Sequence, residues 1–362
     1  ITEREHEIES FNPEEFWTLS VNFQDGKKNL ITSSISQLEG KKIEKFSFKN
    51  KNEINDAIAS IENKKFNISD ISSKIVSRNP SGPFTTSTLQ QVASSRLGFG
   101  ASRTMQIAQR LYQGIEIDGE TIGLITYMRT DGTNLSADAV SDFRDFIKKQ
   151  YGTEYLPEKP LNYSGKKAKN AQEAHEAIRP TDISRSPDTV KKYLSTDQQK
   201  LYNLIWGRAL SSQMETAKFD RNTITITTED GATICKSSGS VLKFDGFLKV
   251  FPSPNKDEDE AILPEMSKGP INIESLIDEQ HFTQPPPRYS EASLVKKLEE
   301  LGIGRPSTYA SIISTIANRG YAEILNKRFF PTDRGKLISA FLEKLFSKYV
   351  DYNFTADLEN QL

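Results

Sequence analysis

Cysteine is nearly absent from this sequence, which contains only Cys235 among its 362 residues. A single cysteine excludes a disulfide framework within the chain and a zinc site made of cysteines, and it favours a reducing, cytoplasmic setting. Long apolar runs are missing as well, since none approaches the ~20 residues that a membrane-spanning helix needs. The first residues do not resemble a signal peptide. We therefore expect a cytoplasmic protein with no membrane partner.

Acidic residues are missing from residues 71–115, although the whole chain has a formal net charge of -2. The same stretch keeps five basic residues, namely Lys74, Arg78, Arg96, Arg103 and Arg110. The opposite imbalance occurs near the acidic run 257–260, which we interpret as a solvated loop. Charge sorted by region suits a protein with one surface that faces a polyanion. The alternative is two amphipathic helices with solvated arginines.

The length of the chain exceeds what one ordinary hydrophobic core supports, so we expect several domains. Residues 16–23, 66–77 and 223–235 alternate with the period of β-strands, whereas the residues between 79 and 214 show helical spacing. The pattern predicts an α+β multidomain fold, in which an inserted, mainly helical domain interrupts a β-rich domain and a winged-helix-like domain follows. The predicted boundaries are 1–19, 20–78, 79–214, 215–284 and 285–362.

Local signals predict where individual elements begin and end. Ser87 or Thr88 is expected to cap one helix and Ser102 the next. Residues 46–48, 124–128 and 241–251 are predicted strands. Near the C-terminus, a helix capped at Ser290, a tight turn, a helix capped at Ser307 and a hairpin across 326–327 are typical of a winged helix-turn-helix. A helical hairpin that binds no ligand is the simpler alternative.

One pair of side chains in the segment 124–134 suggests phosphate chemistry. In an extended chain, residues two apart point to the same face, so Tyr127 and Arg129 are expected to project side by side. A tyrosine hydroxyl is a latent nucleophile, and a planar guanidinium can bind two oxygens of a phosphate. On spacing alone, however, a half-buried tyrosine beside a solvated arginine is the commoner arrangement.

Longer motifs decide between these two interpretations. They are FTTSTLQQ (84–91) with RLGF (96–99), ITYMRTDGTNL (125–135), QEAHEAIRP (172–180), and YSEASLVKKL (289–298) with GIGRPSTY (302–309). In this order they resemble the bacterial type IA DNA topoisomerases, and together with the segments between them they span most of the chain. The resemblance implies an enzyme that cleaves one DNA strand transiently, passes a strand and reseals the break without ATP, relaxing negative supercoils.

The resemblance also assigns roles to individual residues. It implies that Tyr127 attacks the phosphodiester and keeps the 5′-phosphate as a phosphotyrosine, that Arg129 holds the scissile phosphate, and that His175 is the histidine of the active region. Surface or packing roles are the alternative for His175. The remaining predicted DNA contacts are Thr308, Arg305, Ser307, Arg179, Arg96 and Arg103.

The chain also departs from the family pattern. A Toprim domain in the family supplies a glutamate general acid and an Asp-x-Asp cluster for Mg²⁺, and residues 1–9 show nothing similar. The lone cysteine excludes the family's C-terminal zinc ribbons. We therefore expect a core fragment that binds no metal itself, depends on a Toprim domain in cis for Mg²⁺, and lacks full activity alone.

Two alternatives to a relaxing enzyme remain open at this point. One is a non-catalytic nucleic-acid-binding module built on the winged helix. The other, within the same family, is a decatenating paralogue. The resemblance implies DNA, mainly single-stranded, as the partner in every case, and association with the nucleoid.

Overall fold

The computed structural model describes residues 1–163, 176–254 and 262–361. Two predictions lie wholly or partly outside these ranges. They are the motif QEAHEAIRP with its His175, of which residues 172–175 are not described, and the solvated loop at 257–260.

Seven antiparallel strands in the described part of the chain share one sheet, in the order β1-β9-β4-β7-β8-β2-β3. Because β1 also pairs with β2, six of these strands close into a ring, and β3 lies outside it. The strands are β1 (Glu15–Gln24), β2 (Leu30–Leu38), β3 (Lys41–Lys42), β4 (Phe66–Arg78), β7 (Ala217–Thr228), β8 (Ile234–Phe244) and β9 (Gly269–Phe282).

Alternation within these strands gives the ring its core. In β1, Leu19, Val21 and Phe23 are buried and point inward with period two. Helix α2 (Lys51–Ile61) adds Ile54 and Ile61 to the same core. Its cap is Asn50, whose side chain accepts hydrogen bonds from the backbone of Asn52 and Glu53. The predicted boundary between residues 19 and 20 falls inside β1, so it does not separate two folded units.

The helical part of the chain begins where two paired strands end. Strand β4 pairs with β7 from Phe66–Thr228 at one end to Arg78–Ala217 at the other. Beyond Ile68 nearly all of β4 is exposed, so its far half extends past the core. Residues 79–216 are therefore inserted between two strands of one sheet, as the change in periodicity predicts.

Two helices joined by a short turn open the inserted segment, and their caps differ from the prediction. Thr85, not Ser87 or Thr88, caps α3 (Thr86–Leu97), because its backbone is extended and its hydroxyl accepts from the backbone N–H of Thr88. Gly100 rather than Ser102 precedes α4 (Ala101–Gln113). The other elements are β5 (Ile115–Ile117), β6 (Glu120–Ile122), α5 (Ala137–Gln150), α6 (Pro187–Val190) and α7 (Thr196–Ser211).

The C-terminal segment shows the predicted order of helix, turn, helix and hairpin. It comprises α8 (Glu291–Leu301), α9 (Tyr309–Asn318), β10 (Ala322–Leu325) and β11 (Arg328–Pro331), followed by α10 (Asp333–Leu345), α11 (Ser347–Val350) and α12 (Tyr352–Gln361). Thr308, not Ser307, occupies the position before α9. The N-terminal helix α1 (Thr2–Glu9) is tied to this segment, since Glu5 accepts two hydrogen bonds from Arg288 at 2.6 and 2.7 Å.

Two further sequence predictions are wrong. Residues 46–48 form no strand. Strand β8 ends at Phe244, and Gly246–Lys249 form a 3-10 helix, because Gly246 has a φ of +49° that turns the chain. None of the helices in the three described ranges is both long and apolar enough to cross a membrane.

Candidate active site and nucleic-acid interface

The segment that carries Tyr127 is not a strand, contrary to the prediction, because its backbone bends at Thr126, Met128 and Arg129. Its one bridge joins Ile125 to Pro180. On this side the backbone N–H of Thr126 donates to the carbonyl of Arg179 at 2.9 Å. The Thr126 hydroxyl donates to the carbonyl of Ala177 at 2.7 Å and accepts from the N–H of Arg179 at 3.0 Å. The Thr126 hydroxyl thus makes hydrogen bonds to the neighbouring backbone that backbone groups would make in a regular pair of strands.

On its other side, the segment is held by the first residue of α3. The buried Thr86 hydroxyl donates to the carbonyl of Met128 at 2.7 Å and accepts from the N–H of Thr130 at 2.9 Å. The backbone N–H of Thr86 donates to the carbonyl of Thr130 at 2.8 Å. The FTTSTLQQ motif contains this threonine, but its sequence gives no sign of the role.

Tyr127 and Arg129 both face outward from this fixed backbone. Tyr127 is 41% exposed, Met128 between them is buried at 1%, and Arg129 is exposed. Both side chains are therefore accessible to solvent, and that they share one face stays a prediction. The Tyr127 ring contacts Tyr112 of α4 edge to face, with the ring centroids 5.4 Å apart. The site therefore presents a phenol and a guanidinium on a backbone that four hydrogen-bonding groups restrain.

Replacing Thr86 with valine should destabilise the protein because it leaves the buried Met128 carbonyl and Thr130 N–H without that partner. An unsatisfied buried group costs about 1–3 kcal/mol, so we expect a loss of that size or larger in the free energy of unfolding. Urea denaturation measures it. Thr86→Ser is the matched control, since it keeps the hydroxyl. Equal losses in the two variants would contradict a bracing role for the hydroxyl.

The winged-helix residues form a local network at the turn between α8 and α9. The Arg305 guanidinium donates to the Glu359 carboxylate at 3.0 Å and to the Glu359 carbonyl at 2.6 Å. The Thr308 hydroxyl accepts from the backbone N–H of Arg305 at 2.8 Å. Ser307 is exposed. In this arrangement Arg305 and Thr308 shape the turn, and Ser307 is the most accessible of the three.

This turn lies near the segment that carries Tyr127. Burial raises the pKa of Tyr309, and the negative charges of Glu299 and Asp131 contribute to the same shift. Asp131 belongs to the segment 124–134, so its charge lies within electrostatic range of Tyr309. Helix α8 also contacts α3 and α4, since Ser87 donates to Glu299 at 2.6 Å and the N–H of Ala101 donates to Glu291 at 2.6 Å.

The other predicted contacts have different surroundings. Arg179 is mostly buried and donates to Glu176 at 2.6 and 2.8 Å, which neutralises its charge. Arg103 pairs with Asp197 and stacks on Phe99. Arg96 stacks on Phe251, 4.1 Å from its ring centroid, beside Arg208, which the sequence interpretation missed. His175 lies outside the described residues.

Comparison with known proteins decides the family. A model of the DNA topoisomerase family matches residues 1–362. The chain belongs to the bacterial DNA topoisomerase family. DNA topoisomerase 1 of Rickettsia felis is 49% identical over 366 residues, and that of Rickettsia prowazekii is 50% identical over the same length; each alignment covers 100% of this chain and 47% of the relative.

A solved topoisomerase structure shows the same architecture. Full-length topoisomerase I from Thermotoga maritima is 36% identical and matches with a TM-score of 0.83, over 100% of this chain and 56% of that chain. The mixed helix and antiparallel-sheet fold is therefore that of a bacterial topoisomerase I. The chain spans about half the length of the curated relatives it matches.

The described residues contain no acidic cluster of the kind that the resemblance implies for Mg²⁺. Mg²⁺ in proteins is held by one or two carboxylates together with substrate phosphates and water, and the resemblance implies an acidic cluster. Across residues 1–163, 176–254 and 262–361, no group of three or more His, Cys, Asp or Glu side chains could hold a metal ion. That a Toprim domain supplies the Mg²⁺ ligands stays a prediction.

Proposed function

We propose that this chain is the DNA-cleaving core of a type IA topoisomerase, in which Tyr127 is the nucleophile. The observation that carries the proposal is the exposed pair Tyr127 and Arg129 on a backbone held by Thr86 and Thr126. A nucleophile fixed in this way loses little freedom as it reacts, which lowers the barrier for attack. Arg129 can bind the phosphate oxygens that gain charge in the transition state.

The proposed reaction conserves the energy of the bond it breaks. The Tyr127 hydroxyl oxygen attacks the phosphorus, the bond from phosphorus to the 3′-oxygen breaks, and the 3′-oxygen leaves as a hydroxyl. The phenol gives up its proton to a base during attack, because phenols are protonated at neutral pH. The 5′-phosphate stays on Tyr127 as an ester. Attack by the 3′-hydroxyl reverses these steps, so resealing needs no ATP.

Single-stranded DNA is the proposed partner. Tyr127 can approach a phosphodiester most readily in an unpaired strand, and the exposed Ser307 and the wing at 326–328 lie in the segment that carries the winged-helix pattern. A Toprim domain in cis is proposed to supply the acidic residues and Mg²⁺ of the complete enzyme. The enzyme would relax negative supercoils in the cytoplasm, in association with the nucleoid.

The chain alone should therefore bind a labelled single-stranded oligonucleotide but leave a supercoiled plasmid unrelaxed in the presence of Mg²⁺. Binding should weaken as salt rises, since phosphate contacts release counterions. Fluorescence anisotropy measures binding, and agarose electrophoresis detects relaxation. A ladder of relaxed topoisomers would contradict the dependence on a Toprim domain. Absence of binding at low salt would contradict the DNA-binding function itself.

A further inference from the structure

Two arginines from different helices meet at one buried aromatic ring. The Arg96 guanidinium of α3 lies 4.1 Å from the ring centroid of Phe251. The Arg208 guanidinium of α7 lies 5.3 Å from the same centroid and 5.1 Å from that of Phe84. Phe84 and Phe251 are 0% and 7% exposed, whereas both arginines remain partly exposed. We call these two arginines and two phenylalanines the Phe251 cluster.

Among the described residues, no carboxylate pairs with the two positive charges of this cluster. Arg208 donates from Nε to the carbonyl of Gly82 at 2.7 Å. No acidic residue in the described ranges forms a salt bridge with Arg96 or Arg208. Arg103, Arg179 and Arg185 of the same inserted segment each have an acidic partner.

Burial and mutual repulsion both disfavour the charged forms of these two arginines. Burial lowers the pKa of Arg208 to about 10, and the nearby charge of Arg96 contributes to that shift. Burial also lowers the pKa of Arg96. Contact with the phenylalanine rings offsets part of the cost, because a cation is attracted to the face of an aromatic ring. Ring contact does not, however, account for two like charges held together, and a bound anion would relieve their repulsion.

The geometry of a guanidinium indicates the kind of anion. Each guanidinium can donate two parallel hydrogen bonds to a phosphate, and two of them can bind the same phosphate from two sides. The cluster contacts Gly82 through Arg208 and includes Phe84. Both residues lie just before Thr86 and the start of α3. Arg96, one of the cluster's two arginines, belongs to the stretch 71–115, which contains no acidic residue. The cluster is therefore attached to the element that braces the Tyr127 segment.

We propose that Arg96 and Arg208 bind a backbone phosphate of single-stranded DNA, at a subsite additional to Tyr127 and Arg129. This inference rests on the proposed function and extends it by naming a second point of contact with the strand. Contact with phosphate alone reads no base, so the subsite positions the strand without selecting sequence.

The test measures the affinity of the chain for a labelled oligothymidine over a series of salt concentrations. Arg96→Gln, Arg208→Lys and the double variant should each bind about tenfold more weakly at low salt, as expected for one lost charged contact. For Arg96→Gln and the double variant, which lose one positive charge, the salt slope should fall by ~0.7, the value for one phosphate on a single strand. Arg208→Lys keeps its positive charge and should leave the slope nearly unchanged. The double variant should lose little more than either single one, since both arginines bind one phosphate.

Controls separate this role from a structural one. Arg185→Gln removes an arginine that pairs with Asp182 and should bind like the wild type. Urea denaturation checks folding, and Arg208→Lys keeps a positive charge beside the Gly82 carbonyl that Arg208 binds. Weaker binding by Arg96→Gln with an unchanged salt slope would mean that the arginines act only on structure, and it would overturn the inference.

The remaining outcomes distinguish this inference from the proposed function. If the wild-type chain fails to bind the oligonucleotide, the proposed function fails first. If it binds and the Arg96 and Arg208 variants match it at every salt concentration, only the subsite is wrong. Calorimetry with inorganic phosphate tests the other source of the anion. Phosphate binding that the double variant loses while its DNA binding stays intact would assign the cluster to free phosphate and overturn the DNA assignment.

Discussion

Tyr127→Phe is expected to abolish covalent capture of DNA by the longer protein that contains this chain and its proposed Toprim domain. The substitution removes the hydroxyl oxygen that forms the bond to phosphorus and leaves the ring in place against Tyr112. A surface change of this kind alters the free energy of unfolding by about 0.5 kcal/mol or less. Capture is measured by stopping a cleavage reaction with denaturant and following a labelled strand that migrates with the protein.

Tyr112→Phe is the matched control for this prediction. Tyr112 and Tyr127 are both 41% exposed and lie in contact, so the two variants lose the same group from neighbouring positions. We expect the Tyr112 variant to retain the covalent adduct. An undiminished adduct in the Tyr127 variant would rule out the catalytic assignment and favour a nucleic-acid-binding module that acts through the winged helix.

Much of the fold could be predicted because two periodicities divide the chain. Alternation on either side of residues 79–214 predicts one β domain interrupted by helices, and strands from both sides do share a sheet. Closure of that sheet could not be predicted. It depends on β1 pairing with both β9 and β2, and alternation identifies the buried face of a strand without naming its neighbours.

The backbone at Tyr127 is a place where the local sequence pattern predicts the wrong secondary structure. The residues have the composition of a strand, yet the described structure gives them one bridge and two threonine hydroxyls. Serine and threonine side chains can bond to backbone groups and so compete with a regular ladder. Thr86 lies 42 residues before Met128 in the chain, so only the folded structure shows that they meet.

The count of charged residues likewise predicts a basic surface. It does not show which of the arginines on that surface lack an acidic partner in the fold. Arg96 and Arg103 come from the same acid-free stretch, but Arg103 finds Asp197, a residue 94 positions away in the sequence. Arg96 instead stacks on Phe251 beside Arg208. Arg179 pairs locally with Glu176. Arginines that look equivalent in the sequence therefore differ in whether their charge is already neutralised, and that difference depends on long-range contacts.

Arg129 differs from these residues in a way that makes its substitution informative. Within residues 1–163, 176–254 and 262–361 it forms no salt bridge or hydrogen bond, and it is exposed. Arg129→Gln should therefore leave the free energy of unfolding nearly unchanged. Cleavage should slow by about 10²–10³-fold, the loss typical of removing one donor to a developing negative charge. Single-turnover cleavage by the longer protein, with the strand in excess of its dissociation constant, measures the rate.

Arg129→Lys and Arg185→Gln separate charge, geometry and general effects. Lysine keeps the positive charge but cannot donate two parallel hydrogen bonds, so its cleavage rate should lie between those of the wild type and Arg129→Gln. Arg185 pairs with Asp182, and its replacement should leave cleavage unchanged. A weaker affinity for DNA with a normal rate in Arg129→Gln would show that Arg129 binds the strand equally before and during reaction. In that case Tyr127 would react without help from the guanidinium beside it, and stabilisation of the transition state would have to come from another part of the complete enzyme.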